Sequence, residues 1–185
     1  MGQLTHILER ARRGDTQATE ELVPFVYEEL RKMAAAKMAQ EPVGHTLQAT
    51  ALVHEAWLRL GGGAQPSWES RAHFFSAASE AMRRILIEAA RRKARVKRGG
   101  GLERVPLDTL DVAATTDEET LLAVNEALDK FRTVDPVGAE LIKLRFFAGM
   151  SNVAAAEILG LSERTAKRTW AYARSWLHAE LTCSS

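Results

Sequence analysis

Cations on the second half of a predicted helical hairpin are the side chains of this sequence with the clearest chemistry. Residues 152–176 predict a short helix, a left-handed turn at Gly160 and a second helix that begins after an N-cap at Ser162. A turn of about three residues is typical of a helix-turn-helix, whose second helix presents its first turns to the major groove of DNA. An ordinary helical hairpin with a solvated charged face is the alternative. The candidate DNA-binding residues are Ser162, Arg164, Thr165, Lys167, Arg168 and Arg174.

A second and denser group of cations lies earlier in the chain. Residues 83–98 carry eight Lys or Arg and one Glu, so this stretch has a net charge of +7 in a chain whose net charge is +1. Such a helix can follow a phosphate backbone and release counterions, although a solvated face is the alternative. A nearby tryptophan offers a surface for an unstacked base, which is typical of single-stranded DNA binding. The candidate residues are Trp68, Arg83, Arg84, Arg91, Arg92, Lys93, Arg95, Lys97 and Arg98.

Patterns typical of catalysis or of metal binding are missing from the sequence. The single cysteine, Cys183, has no partner for a disulfide or a cysteine-based zinc site. The five histidines show neither metal-ligand spacing nor the order of a nucleophilic triad. No apolar run approaches the 18 or so residues of a membrane span. We therefore expect a cytoplasmic protein that is not an enzyme, binds no metal and no cofactor, and contacts no membrane.

Helical periodicity runs through most of the 185 residues. Ala, Leu, Glu, Arg and Lys dominate nearly every segment, and no run of alternating β-branched residues indicates a strand. Residues 105–129 contain seven acids and no Lys or Arg, and their first part has weak periodicity. We therefore predict an all-α protein with two small helical domains, at 1–101 and 117–185, joined by an acidic linker at 102–116. The second domain contains the helix-turn-helix.

Three segments, in order, resemble the motifs of bacterial sigma factors of the extracytoplasmic-function (ECF) type. They are LVHEAWLRL at 52–60, AMRRILIEAARR at 81–92 and SERTAKR at 162–168. Three further segments resemble an ECF-like subgroup: HTLQATALVHEA at 45–56, RAHFF at 71–75 and KRGGG at 97–101. The chain departs from the family pattern at Thr50 and Ala51, where acidic residues are usual, and at Arg164 and Ala166, which replace glycine and valine.

The resemblance implies partners and a role for each segment. Core RNA polymerase would be bound through the clamp helices of its largest subunit and through its flap. Promoter DNA would be bound as duplex at the minus-35 element, by the helix-turn-helix, and as single strands at the minus-ten element, by the helix with the dense cations. An anti-sigma or other protein regulator could hold the factor inactive. The polymerase-binding residues implied are Leu52, His54, Glu55, Trp57, Leu58 and Arg59.

Two other functions fit parts of the same sequence. A one-component helix-turn-helix regulator would bind duplex DNA specifically without polymerase. A sigma mimic would sequester a regulator and would need no DNA, although the cations retained in both predicted domains argue against it. Only a sigma factor would make core RNA polymerase initiate transcription at promoters, so this measurement distinguishes it from the two alternatives.

Overall fold

The computed structural model describes residues 3–40, 48–61, 68–97 and 118–183, and this part of the chain is helical without strands. The all-α class predicted from the sequence is therefore confirmed. A π-helical segment, Lys143–Phe147, continues the sixth helix. The helices are α1 (Gln3–Arg12), α2 (Thr16–Met38), α3 (Ala49–Arg59), α4 (Arg71–Lys97), α5 (Glu118–Val134), α6 (Pro136–Ile142), α7 (Asn152–Leu159) and α8 (Glu163–Cys183). The predicted linker at 102–116 lies outside the described residues.

Side-chain caps explain where several helices begin. Asp15, Asp135 and Ser151 each accept a hydrogen bond from the backbone N–H three residues later, at 3.1, 2.9 and 3.1 Å. Each cap satisfies one N–H that the first turn of a helix leaves unpaired, which is worth about 1 kcal/mol. Pro136 follows Asp135 as the first helical residue, where its missing N–H has no consequence.

Helices α1–α4, called here the N-terminal helices, pack around a core of large apolar side chains. Phe74 and Phe75 of α4 are buried at its centre and meet edge to face, with ring centroids 4.9 Å apart. Leu22 of α2 and Leu52 of α3 are buried in the same cluster. The apolar first half of α4 therefore serves as the central helix of this group.

Helices α5–α8, called here the C-terminal helices, form a second group that packs directly on the first. Leu86, Ile87 and Ala90 on the second half of α4 are buried in one cluster with Phe131 of α5 and residues of α6 and α8. We call this contact surface the α4 interface. In the other direction, Leu144 of the π-helical segment is buried in the cluster of the N-terminal helices. The two groups thus share their cores.

A glycine brings two backbones together at the edge of this packing. Gly149 has φ +68°, and a Cβ placed on it would lie 2.5 Å from the backbone nitrogen of Lys37 at the end of α2. The turn after the π-helical segment therefore approaches α2 more closely than any other residue type allows. Lys37 is itself buried, with its ammonium 5.0 Å from the centre of the Phe146 ring. In the described part of the chain, no helix is long and apolar enough to cross a membrane.

Candidate nucleic-acid interface

The hairpin of α7 and α8 presents the cations expected to contact duplex DNA. Residues 160–162 join the two helices, and Gly160 ends α7 in the left-handed conformation with φ +65°. The Ser162 hydroxyl accepts a hydrogen bond from the Thr165 N–H at 3.1 Å and lies 2.9 Å from the Thr165 hydroxyl. Both hydroxyls therefore stabilise the N-terminus of α8, which fixes the direction of the side chains that follow.

Arg164, Lys167 and Arg168 all point to solvent from the first two turns of α8. Lys167 lies 3.9 Å from Glu163, and both side chains are mostly exposed. An exposed ion pair at this distance contributes little stability, so Lys167 can readily exchange Glu163 for another anion. These three cations are thus available to a ligand with negative charge.

Behind this surface, α8 is anchored by a stacked arginine that the sequence analysis did not single out. The Arg145 guanidinium lies 3.7 Å from the centre of the Trp170 ring, a short cation–π contact. Burial lowers the pKa of Arg145, and the charge of nearby Arg174 lowers it further. Arg174 is exposed on α8, so two arginines lie beside each other at this end of the hairpin. The sequence signal for Arg145 is its position, with Lys143, as one of two cations in the otherwise apolar run 141–148.

On α4, four of the expected cations lie on the exposed side of the helix. Arg84, Arg91, Arg92 and Arg95 are all exposed. Arg84 donates a hydrogen bond from Nε to Glu80 at 2.9 Å, and Arg95 donates from Nε to the Arg91 carbonyl at 3.3 Å. Their free donors face solvent and form an extended basic row.

Arg83 differs from its neighbours, because it points into the α4 interface instead of toward solvent. It is 8% exposed. Its Nε donates to Asn125 Oδ1 at 2.8 Å and its terminal nitrogens donate to Asp129 and Glu80 at 2.5 and 3.3 Å. In this structure Arg83 is therefore not available to a phosphate, contrary to the expectation from its sequence neighbours. Sequence reasoning missed Asn125 and Asp129.

Of the three remaining cations of the same group, only the Lys93 side chain is described. Lys93 is half-buried and forms an ion pair with Glu118 at the start of α5. The side chain of Lys97 and the whole of Arg98 lie outside the described residues. Trp68 is 8% exposed and meets Phe74 edge to face at 4.9 Å. As an indole buried in the core, Trp68 offers no surface for an unstacked base in this arrangement.

The side chains expected to bind polymerase separate into a buried and an exposed set. Leu52 is fully buried in the core of the N-terminal helices, so it is a packing residue and not a surface anchor in this structure. Leu58 is 53% exposed, His54 is exposed and Trp57 is half-buried. Tyr27 of α2 is 43% exposed and meets the Trp57 ring edge to face at 6.4 Å. An apolar surface on α2 and α3 results.

Tyr27 was missed by the sequence analysis, although one signal was present. Val23 and Tyr27 are four residues apart on α2 and are both exposed large apolar side chains. This spacing places them on one face of the helix. Because this face lies next to Trp57 and is exposed, it has the features of a binding surface and not of a part of the core.

Arg59 and Glu55 are engaged within the protein at the edge of that surface. Arg59 donates two hydrogen bonds to the Glu88 carboxylate of α4, at 2.6 and 3.0 Å, and a third to Glu55 at 3.1 Å. The hydrogen bond with Glu88 raises the pKa of Arg59, and the same contact lowers the pKa of Glu88. This bidentate pair joins α3 to α4, so Arg59 helps to fix the orientation of the two helices relative to each other.

An all-α protein with two exposed basic surfaces and an exposed apolar face has the features of a helical transcription factor. A family model described as ECF sigma factor matches residues 1–183. The chain therefore belongs to the ECF sigma factor family. Comparison with curated proteins and with solved structures gives no significant match. As a sigma factor, it is a DNA-binding protein of transcription initiation, and its partners are RNA polymerase and promoter DNA.

Proposed function

We propose that this sigma factor binds core RNA polymerase through the exposed apolar face of α2 and α3, and binds the promoter at two places. Residues 1–101 would dock on polymerase and hold the minus-ten element, and residues 117–185 would recognise the minus-35 element. The observation that carries the proposal is the hairpin of α7 and α8, whose first-turn cations face solvent while Ala166, Ala173 and Leu177 hold α8 in the core.

Recognition of the minus-35 element is assigned to Arg164, Lys167, Arg168 and Arg174. The exposed guanidinium and ammonium groups can reach base edges and phosphates when the first turns of α8 enter the major groove. Ser162 and Thr165 already bond each other at the cap. Their proposed role is to hold the N-terminus of α8 against the DNA backbone.

The minus-ten element is assigned to the exposed row on α4. Arg84, Arg91, Arg92 and Arg95 would neutralise phosphates of the opened strands. Unstacking costs a few kcal/mol per base, which contacts with the protein and with polymerase must offset. In this proposal the sigma factor contributes binding free energy, and polymerase carries out the chemistry.

Docking on the clamp helices of polymerase is assigned to Trp57, Leu58 and His54, with Tyr27 beside them. Aromatic side chains such as Tyr27 and Trp57 are enriched among the residues that dominate the free energy of an interface. Glu55 and Arg59 would lie at the rim of this contact. The C-terminal helices would bind the polymerase flap.

A reconstitution tests the whole proposal. The purified chain is added to core RNA polymerase with a library of promoter sequences, and the transcripts are sequenced. We expect initiation that depends on the chain and selects a pair of spaced elements. Specific binding to duplex DNA without polymerase, with no added initiation, would identify a one-component regulator instead.

Two sets of variants test the assigned surfaces. Arg164→Ala and Lys167→Ala should reduce the use of promoters mainly through the minus-35 element, by about 1 to 3 kcal/mol for each base that is no longer recognised. Arg12→Ala, an exposed arginine of α1 outside these surfaces, is the matched control. Combined Arg91→Ala and Arg92→Ala should lower the salt dependence of promoter binding, by a slope of about 0.9 for each phosphate that is no longer neutralised. An unchanged slope would exclude a role of these two arginines at phosphates.

A further inference from the structure

A single acidic residue lies within the basic stretch of α4. Glu88 is the only acid among residues 83–98, which carry eight Lys or Arg. Arg84 precedes it by four positions, and Arg91 and Arg92 follow it by three and four, so these side chains share one side of the helix. All four are exposed. The acid therefore lies inside the basic row that is assigned to phosphates.

Both oxygens of the Glu88 carboxylate are bonded to a residue outside α4. Arg59 of α3 donates from its two terminal nitrogens to the two oxygens, at 3.0 and 2.6 Å. A bidentate pair of this kind fixes the orientation of the carboxylate as well as its position. The carboxylate is thus held toward α3, and the arginines of α4 keep their donors for other ligands.

Glu88 lies close enough to the basic row to compete for its cations. The hydrogen bond from Arg59 is the largest cause of the lowered pKa of Glu88. The charges of Arg92 and Arg84 lower that pKa further. Glu88 lines one surface cavity of about 510 Å³ with Arg59 and Arg84, and a second of about 340 Å³ with Arg84 and Arg91. It therefore borders both Arg59 and the arginines that are assigned to DNA.

The stability of the fold does not account for this ion pair. The Arg59 side chain is 28% exposed and that of Glu88 is 49% exposed. Ion pairs that water reaches contribute little stability, because the attraction is weak and the ordering of two long side chains costs entropy. The effect on the charge of the basic row is larger. With Arg59 its four arginines keep a net charge of +4, whereas an uncompensated Glu88 would reduce it to +3 and would repel phosphates.

We propose that Arg59 is a positioning residue for promoter DNA, because it captures Glu88 and leaves the arginines of the basic row free for phosphates. Arg59 acts through Glu88 and not by touching the DNA. Without Arg59, Glu88 pairs with Arg92, since a glutamate four residues before an arginine is the favoured order for a helical ion pair. A phosphate must then displace a carboxylate. This inference rests on the proposed function, in which the basic row binds the opened strands.

Salt-dependent binding of the holoenzyme to promoter DNA tests this role. Core polymerase is kept saturating, and the dissociation constant is measured over a range of salt concentrations. Arg59→Ala should lower the slope of log K against log salt by about 0.7, the contribution of one phosphate on a single strand, and weaken binding about fivefold at about 0.1 M salt. Adding Glu88→Gln to Arg59→Ala should restore both values, because no acid is left to capture the arginines.

A matched control removes the other carboxylate that Arg59 bonds. Glu55 lies on α3 and accepts a hydrogen bond from Arg59 at 3.1 Å. In the Arg59→Ala background, Glu55→Gln removes the same charge as Glu88→Gln and should not restore the slope. Restoration by Glu55→Gln would overturn the proposal. So would a double variant with Glu88→Gln that stays as weak as Arg59→Ala, which is the result expected of a merely structural pair or of a direct contact from Arg59 to phosphate.

Glu88→Gln alone keeps the proposal testable if Arg59→Ala disturbs folding. This substitution retains the shape of the side chain and removes the acid, so the slope should equal that of the parent or be steeper. A shallower slope would overturn the proposal, because Glu88 would then assist the binding of DNA. Urea unfolding and titration with core polymerase report the stability and the polymerase affinity of every variant.

The combined substitutions Arg91→Ala and Arg92→Ala separate this inference from the function on which it rests. If they leave the slope unchanged, the basic row does not bind phosphates, and the proposed function of α4 and this inference are both wrong. If they lower the slope and Arg59→Ala does not, the capture of Glu88 is wrong and the function of the basic row stands.

Discussion

Substituting Gly149 by alanine should destabilise the protein much more than the same change at Gly160. Both glycines have left-handed backbone conformations, with φ +68° and +65°. A Cβ on Gly149 would lie 2.5 Å from the Lys37 backbone nitrogen and 2.7 Å from the Ala36 carbonyl carbon. A Cβ on Gly160 would meet no atom within 4 Å. The two substitutions therefore share the conformational cost and differ only in the close contact with α2.

The expected magnitudes follow from this difference. A left-handed conformation costs a residue with a Cβ about 1 to 2 kcal/mol, and both variants are destabilised by that much. Backbone atoms of α2 cannot rotate away from the new methyl group, so Gly149→Ala also forces a shift of the packed groups. Such overpacking typically costs about 1 to 3 kcal/mol. We expect the free energies of unfolding of the two variants to differ by that second amount.

Urea unfolding followed by helical circular dichroism measures both values. Since Gly149 joins the C-terminal helices to α2, the strain can also be relieved by opening of the α4 interface. A thiol introduced by Ala90→Cys, at a position buried in the α4 interface, would then label faster in Gly149→Ala than in Gly160→Ala. Equal free energies of unfolding and equal labelling rates in the two variants would refute the close approach.

Three further predictions concern helix capping, charge and the two leucines of α3. Asp135→Ala removes the cap of α6 and should lower the free energy of unfolding by about 1 kcal/mol, measured in urea. Burial raises the pKa of Glu80, but the hydrogen bond from Arg84 and the charges of Arg83 and Lys143 outweigh it and lower that pKa below 4.5. Its stabilisation is thus present above pH 4.5 and disappears as the pH falls through the lowered value, so Glu80→Gln should be less stable by about 1 kcal/mol at pH 7 and equal to the parent in acid. Leu52→Ala should cost about 2 to 5 kcal/mol of stability, whereas exposed Leu58→Ala should leave stability unchanged and weaken binding to core polymerase; the reverse result would exchange their assigned roles.

Local signals predicted most of the secondary structure. The Asp135–Pro136 pair predicts the start of α6, and Gly160 followed by Ser162 predicts the turn before α8, because these residues act through bonds within three or four positions. Pro24 is an instructive exception, since α2 continues through it. Pro24 and Glu20 are both exposed, so water can replace the hydrogen bond that proline cannot make, while buried Leu22 and Val26 hold the helix.

The orientation of individual functional side chains could not be predicted in the same way. Arg83 and Arg84 are neighbours in the sequence, yet one is buried at the α4 interface and the other is exposed. Which face of α4 is covered depends on Asn125 and Asp129, more than 40 positions away, and no local pattern encodes that packing. Leu86 and Ile87 are apolar, but their residue types alone do not identify the helices that bury them.

The ion pair between Lys93 and Glu118 has a consequence for how the connecting segment can vary. It joins the second half of α4 to the start of α5, so the two points between which the connecting segment runs are already close together. Doubling the length of a flexible loop costs only about 0.6 kcal/mol. Insertions and deletions in this segment should therefore hardly affect the free protein. Under the proposed function, the spacing between the two promoter elements would set its length, almost independently of folding.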